Sequence, residues 1–553
     1  MDPSVSVLRN YLLTALQNLP GTREFHLHVL VSAPRKHSGL YPYAHPRPRV
    51  YLQDIFILLS EQEKLDSQRV FVAALEVNVY NAPSTSCGIL YISKVDSTGQ
   101  GISPSPTPAL LKAFLTFYAD PATRPIQVDT LWLQLFARAQ GQYLFPNSAD
   151  YSGKKPLTDV KLCAWWKRIF SYVAEEVAER VKGAKLGLYY ILPGLNELEA
   201  INTLQFASST TNHAASPNSG LMPWTYGHQY SQKELPLPCP PSKNGPNLGH
   251  FIPSFDDDPK SRFIDEIAFT TEEPGVRSPE RKRSRTFSGD GEESSKPATV
   301  ADKEGTKDKE EKIQGELGKV SADEFWERMS FRQECIAGAV TGFFALGIHV
   351  PPLADSQPTS APSPLAPQPG QVPPNLVRRL VASLLNGHEF STVERAVRAT
   401  ETLEGAIKGL CENIAPTTTT RPPISTTSSS AGGLSNSTLS APLLLRGERD
   451  STPEPPFSVS ATLDILRTPP RRKGGAALPP DISPNPFPEP VASLDTYFQH
   501  IYGSVAINNP ALPSKTSAPD ATINGDSHAD TAVVVQPTVN VLAVRKKKRK
   551  ADA

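Results

Sequence analysis

Residues Phe251 to Ile264, FIPSFDDDPKSRFI, crowd three carboxylates (Asp256, Asp257, Asp258) against Pro259, Lys260 and Arg262 between apolar flanks. Opposite charges packed this closely, with Phe255 and Phe263 to draw the stretch into a core, perturb ionisation and suit the wall of an active site. The same run also fits a solvated turn, because Asp starts turns and proline keeps the preceding residue out of the helical region. A second candidate is Asp96-Ser97-Thr98-Gly99-Gln100-Gly101, where small polar residues leave backbone amides free just ahead of a helical pattern. Such a loop can hold a phosphate. It has neither the Lys-Ser/Thr ending of a P-loop nor a GxGxxG, so kinase or dinucleotide chemistry is not supported; a pyrophosphate such as that of coenzyme A and an ordinary connection both remain.

The elements that must position these groups follow from periodicity. Apolar residues at Val5, Leu8, Leu12, Leu13 and Leu16 predict a packing helix that Ser4 can cap. Four strands are expected at residues 24–32, 51–59, 70–80 and 87–95, and their alternation reads as a half-buried antiparallel sheet. His26 and His28 share one strand face; no third metal ligand is placed by spacing, so both are expected at the surface. A helix is expected over 108–118 and further strands over 128–136 and 185–192. Thr158 caps a helix over TDVKLCAWWKRIFSYVAEEVAERV, whose adjacent Trp165 and Trp166 cannot share a face. One is expected in the core and the other toward a ligand or partner, unless both simply pack. Ser321 and Glu324 form a capping box ahead of Phe325 and Met329. The apolar run from Ile336 to Val350, shorter than the ~18 residues that suggest a membrane span, reads as a buried helix.

Composition bounds the rest. Fifty-five prolines and a 39% hydrophobic fraction in 553 residues point to one folded domain with long tails. Formal charge is zero, so no global basic field announces nucleic acid. Five scattered cysteines (Cys87, Cys163, Cys239, Cys335, Cys411) lack metal or disulfide spacing and suit a reducing compartment. The N-terminal MDPSVSVLRNYLL has no basic n-region, and no secretory signal is expected.

Four motifs together, SKVDSTG (Ser93–Gly99), QYLFPNS with the double tryptophan, FDDDPKSRFI, and FWERMSFRQE (Phe325–Glu334), resemble in order and spacing the fungal histone acetyltransferases that modify newly made histone H3 at position fifty-six. That family is structurally similar to the CBP-type coactivator acetyltransferases. The resemblance implies an α/β fold with a mixed central β-sheet flanked by helices, and acetyl-CoA as co-substrate with no metal. It implies cofactor contacts from Val95, Asp96 and Ser97, from the turn Gly101-Ile102-Ser103, from Phe136 and Gln140, and from Lys155, Pro156, Leu157 and Trp165. In that turn the family carries arginines that this chain lacks. Tyr143 and Trp166 match aromatics of the substrate-lysine channel, Asp96 an acidic residue important for activity, and Asp257 and Asp258 the acidic pair, with Asp258 in the proton-transfer role. Lys260 matches a buried lysine that the family acetylates on itself. The implied partners are histone H3–H4 and anti-silencing-factor-type and NAP-type chaperones, with no membrane and no sequence-specific nucleic acid, in replication-coupled nucleosome assembly and the DNA damage response. The implied location is the nucleus.

The expected organisation is a histone acetyltransferase domain over 1–412, with a disordered insertion at about 275–320 and a Pro-rich link at about 351–374, then a disordered tail over 413–553. The tail ends in a basic run at 545–550 that reads as a nuclear import signal; within it, LDTYFQHI (Leu494–Ile501) reads as a docking patch. Two alternatives stand beside this reading: a noncatalytic nuclear scaffold that binds histones or chaperones, and an acetyltransferase acting mainly on H3 tail lysines.

Overall fold

Ile55-Phe56-Ile57-Leu58-Leu59 is buried at every position, which a strand achieves only when both its faces are covered. The computed structural model, which describes residues 5–64, 67–209, 222–240, 247–269, 315–336, 338–351, 363–412 and 485–510, provides that cover. Its strands are β1 (Gly21–Val31), β2 (Arg35–His37), β3 (Val50–Gln62), β4 (Val70–Ala82), β5 (Cys87–Ser97), β6 (Thr130–Ala137), β7 (Lys185–Ile191), β8 (Trp224–Tyr226), β9 (Gly342–His349) and β10 (Tyr502–Asn509). They form one mixed sheet in the order β10-β1-β3-β4-β5-β6-β9-β7-β8, with β2 paired to β3. The β5–β6 and β7–β8 pairs are parallel and the others antiparallel.

One face packs on helices α1 (Val5–Leu16), α2 (Thr107–Ala119), α3 (Asp159–Arg180) and α4 (Glu197–Ser209). On the other, Leu30, Phe56, Leu58 and Phe71 meet the helices Pro374–Gly387 and Val393–Glu412. Further along that side, α5 (Pro259–Phe269) and the helix Ala322–Met329 bury Phe263, Ile264, Phe325 and Met329 against Ile191 and Phe343. The half-buried sheet is therefore corrected to a sheet covered on both faces.

The expected elements at α1, β1, β3–β7, α2 and α3 form. Ser321 Oγ accepts the Glu324 amide at 3.1 Å, which is half of the expected capping box; the Glu324 carboxylate accepts from Arg328 at 2.6 Å. Three expectations change. The 336–350 run is not a helix: its core, Gly342 to His349, is the strand β9 between β6 and β7, and seven consecutive buried residues, Gly342 to Ile348, suit a central strand. At Gly347 a Cβ would lie 2.7 Å from Trp132 and Leu235, so a side chain is excluded where the sheet meets those groups. Thr158 stands at the start of α3 without a side-chain bond; Asp159 instead accepts the Val160 amide, at 2.8 Å, and the Val340 amide, at 2.6 Å.

The third change concerns the tail and the histidines together. Residues 485–510 belong to the same compact unit as the rest of the domain, so the tail does not begin as a whole after residue 412. LDTYFQHI docks on its own chain, and β10 pairs with β1 from Gly21↔Asn509 to His28↔Tyr502. His26 and His28 are buried, not surface groups: His26 Nδ1 shares a hydrogen bond with Tyr502 Oη at 2.8 Å, and His28 Nε2 one with Tyr497 Oη at 3.1 Å. Within the Pro-rich link, residues 363–374 also pack, Ala33 N donating to Val372 O at 2.8 Å. Of the expected insertion at about 275–320, residues 315–320 pack, with Leu317 and Val320 buried, while 275–314, including the basic cluster at Arg281–Arg285, lie outside the described residues, as do Ser4 and the basic run at 545–550. No described helix is long and apolar enough to cross a membrane.

Burial, then the charge of Arg69, lowers the pKa of His26 to about 4 and of His28 to about 3. The folded state holds both neutral, so its advantage is full above the unfolded value near 6.5 and is lost as pH falls toward 4. A melting-temperature series by calorimetry is expected to drop across pH 6.5 to 4, and to drop less in His26→Gln/His28→Gln; parallel curves would show that this pair does not govern the acid limb.

Candidate active site

A chain that ends β5 on Ser93-Lys94-Val95-Asp96-Ser97 and β6 on Phe136-Ala137 in parallel leaves an opening beyond the two strand ends. The opening is an exposed cavity of about 240 Å³. Val95, Asp96, Ser97, Phe136, Gln140, Tyr143, Lys155, Pro156, Leu157, Trp165 and Trp166 all line it. Eleven of the residues singled out from sequence are thus brought together from β5, β6, the 138–157 loop and α3. Both tryptophans face it, their rings edge to face at 4.8 Å, so neither is given up wholly to the core. Trp166 is the more buried and continues onto Phe170.

Asp96 holds this wall. Its Oδ2 accepts the consecutive amides of Tyr143, Leu144 and Phe145 at 2.7, 2.8 and 3.1 Å. Its Oδ1 accepts from Lys154 Nζ at 2.8 Å and from the Ser97 amide at 2.8 Å. Lys154 Nζ also donates to Ser148 Oγ at 2.7 Å. The aspartate is therefore the tie between the β5 end and the aromatic loop. Gly99 is required here: φ is +76°, and a Cβ would sit 2.5 Å from Lys154 Cα. Burial pushes the Tyr143 phenol up to about 12, a neutral hydrogen-bonding group at pH 7.

The acidic run lies beside this cavity and does not line it. Asp258, 1% exposed, opens α5: its Oδ1 accepts the Lys260 amide at 2.9 Å, while its Oδ2 lies 2.9 Å from Lys260 Nζ. Lys260 is itself buried, with its ammonium 4.8 Å from the Phe343 ring and 5.5 Å from the Phe255 ring. Tyr91 stacks on Phe255 at 4.0 Å; burial first, and then the charge of Asp258, raise its phenol well above the ordinary value. Asp257 is the exposed member, in the left-handed region at φ 63°, and reaches Lys94 at 3.2 Å. Lys94, which also pairs with Glu76 at 2.9 Å, lines the cavity and links it to the acidic run. Burial lowers the pKa of Lys94, but Glu76 and Asp257 outweigh it and raise the ammonium above its usual value.

Gly101, Ile102 and Ser103 are not in the cavity wall. The Ile102 amide and carbonyl are taken by Glu61 at 2.9 Å and Arg23 at 2.6 Å, so this turn faces back into the sheet. What continues into the cavity is Ser105 and the first residues of α2, Thr107 and Pro108. Cys163 is buried outside the lining, and burial pushes its thiol up to about 12, which suits packing and not nucleophilic attack. Among the described residues no cluster of His, Cys, Asp and Glu is arranged to hold a metal.

Residues 121–406 match the family described as the histone acetyltransferase KAT11-type domain. The chain belongs to that family. The match includes the tryptophan helix and the acidic run, whereas Asp96 on β5 lies upstream of it. "Histone acetyltransferase rtt109" of Aspergillus flavus is 29% identical over 349 residues, covering 59% of this chain and 54% of that protein. "Histone acetyltransferase rtt109" of Schizosaccharomyces pombe is 27% identical over 292 residues, covering 52% of this chain and 58% of that protein. The chain thus spans about half the length of these curated relatives. The crystal structure of Rtt109 from Aspergillus fumigatus, 22% identical, shares the fold with a TM-score of 0.51 over 72% of this chain and 95% of that one.

In this KAT11-type domain the sequence reading missed Lys94, Lys154, Ser105, Thr107 and Arg138, all in the cavity wall. Lys154 was legible only as a lysine next to Lys155. Arg138 stands at the β6 end with no hydrogen-bond or ion-pair partner among the described residues, and its neighbour Phe136 was the only signal for it.

Asp96→Asn removes the charge that holds Lys154 and weakens three amide bonds of the 143–145 loop. Hydrogen exchange of those amides is expected to quicken by at least about tenfold, since a charged acceptor contributes roughly 1.5–3 kcal/mol per bond. Unchanged exchange at Tyr143 to Phe145 would remove Asp96 from this role.

Proposed function

We propose that this protein is a histone lysine acetyltransferase that moves acetyl from acetyl-CoA to the core-edge lysine at position fifty-six of newly made histone H3. One observation carries the reading: motifs scattered from Val95 to Trp166, in a chain of the KAT11-type family, converge on one cavity. The residues present fit the acyl donor. Leu135, Phe136, Pro156, Leu157, Leu162 and the two tryptophans offer apolar walls to its chain, and Arg138 and Lys155 offer charge, and Ser105 and Thr107 hydroxyls, to its phosphates.

The chemistry is direct attack. The substrate lysine loses a proton, its nitrogen bonds to the thioester carbonyl carbon, the carbon–sulfur bond breaks, and coenzyme A leaves and takes up a proton. Tyr143 and Trp166 are proposed to hold the aliphatic stem and exclude water. Asp258 is proposed to assist the proton's departure. Its carboxylate is shared with Lys260 as the chain stands. Acetylation of Lys260 removes that cation and leaves the carboxylate to other partners, so Lys260 is proposed as the autoacetylated lysine. Chaperones of the anti-silencing-factor and NAP types are the proposed partners that present H3–H4, and the nucleus the proposed location.

Acetyl transfer to H3–H4 by the full chain, with and without an anti-silencing-factor-type chaperone, tests this. Chaperone-stimulated transfer to position fifty-six is expected, falling about 10²-fold or more in Asp258→Asn and in Trp166→Ala. Modification confined to H3 tail lysines would redirect the substrate assignment. A folded protein that binds histones and chaperone but transfers nothing would leave the scaffold reading.

A further inference from the structure

The turn after Thr98 lacks arginine, yet its backbone is held by one from elsewhere in the fold. Arg23 on β1 and Glu61 on β3 form an ion pair whose side chains are 0% and 2% exposed. Arg23 Nη1 donates to Ile102 O at 2.6 Å and lies 3.3 and 3.4 Å from the two Glu61 oxygens. Its Nη2 donates to Pro104 O at 3.0 Å and to Pro20 O at 3.2 Å. Glu61 Oε1 accepts the Ile102 amide at 2.9 Å. At Gly101 a Cβ would come 2.8 Å from Val72 Cγ1 and 3.1 Å from Glu61 Oε2, so the turn closes on the pair without room for a side chain. Neither charged residue lines the cavity, but both ends of the turn do: Ser97 before it, and Ser105, Thr107 and Pro108 after it.

We propose that the Arg23–Glu61 pair is a positioning device for the acyl-donor site, shaping the 98–106 turn from behind so that the Ser105 and Thr107 hydroxyls at the start of α2 meet the donor's phosphate groups. The inference rests on the acetyl-CoA reading given above. Two ions taken out of water cost several kcal/mol each unless their bonds are filled. Here three of those bonds go to the turn's own main chain, at Ile102 N, Ile102 O and Pro104 O, while Arg23 Nε is left without a partner, so the pair and the turn take one shape together. Residues remote from the donor thereby fix where its phosphates are received.

Calorimetric titration of the full chain with coenzyme A, followed by steady-state kinetics, tests the assignment. Arg23→Met is expected to weaken coenzyme A binding, and to raise the KM for acetyl-CoA, by roughly tenfold or more, because a displaced positioning element costs binding steeply. The KM for H3–H4 and kcat at saturating donor are expected to hold. Gly101→Ala, which leaves the ion pair in place and pushes the turn off it, is expected to do the same, and it alone decides if Arg23→Met does not fold. Wild-type affinity for coenzyme A in the folded variants, with only a lowered Tm, would overturn the inference and make the pair a structural tie. A wild-type protein that binds no coenzyme A would overturn the acetyl-CoA reading, and the inference with it.

Discussion

The cavity wall depends on one buried carboxylate. Asp96 collects five donors, three of them consecutive amides of a loop whose Leu144 and Phe145 also pack into the core beside the β5 end. Desolvating a carboxylate costs several kcal/mol, and a single lysine partner rarely repays it. Amide bonds to a charged acceptor contribute roughly 1.5–3 kcal/mol each, and three of them together with Lys154 turn the balance. The arrangement then propagates: the loop fixes Tyr143, Lys154 brings Lys155 to Leu157 across the opening, and Gly99 lets the two backbones touch. The acidic residue singled out for activity thus also fastens the wall that Tyr143 and Trp166 line.

The acidic run divides its labour in a similar way. Asp258 is the start of α5 and the counter-ion of Lys260, inside a ring of Phe255, Phe343 and Trp326. A charge pair so enclosed interacts far more strongly than one in water, so a change of charge on Lys260 is felt at Asp258 before it is felt anywhere else. Asp257 is turned outward by its left-handed backbone and joins the cavity through Lys94. Two neighbouring aspartates thus sit in opposite environments, which is the condition under which two carboxylates take different roles.

Much of this was legible. Long alternating or continuous apolar runs announced six of the strands, and Val5 to Leu16 and the tryptophan helix announced two helices, because local periodicity reports directly on burial. The cavity residues of β5, β6 and α3 were legible through motif and resemblance. Two departures arise where local sequence does not reach. An apolar run of strand length cannot be told from a buried helix by periodicity, so Gly342 to His349 was misread. The Gly101-Ile102-Ser103 turn was read forward, toward a phosphate, because nothing local reveals that Arg23 and Glu61, some 80 and 40 positions away, claim its backbone.

The return of residues 485–510 to the sheet follows from a requirement that β1 itself creates. His26 and His28 sit on the face that carries Leu30 and Phe56 into the core, and a buried imidazole without a partner costs the fold more than an exposed one. The nearest solution in sequence, a polar residue on β3, supplies only Ser60, whose hydroxyl is taken by Glu404 and the His26 carbonyl. Tyr497 and Tyr502 provide hydroxyls for the two imidazoles and stack on each other at 5.5 Å, so the same two side chains bring both polarity and apolar cover. Pairing of β10 then closes the β1 edge, which would otherwise present an unpaired row of amides and carbonyls. A segment more than 400 residues downstream belongs to the domain because two histidines near its start need what only tyrosines of that segment bring.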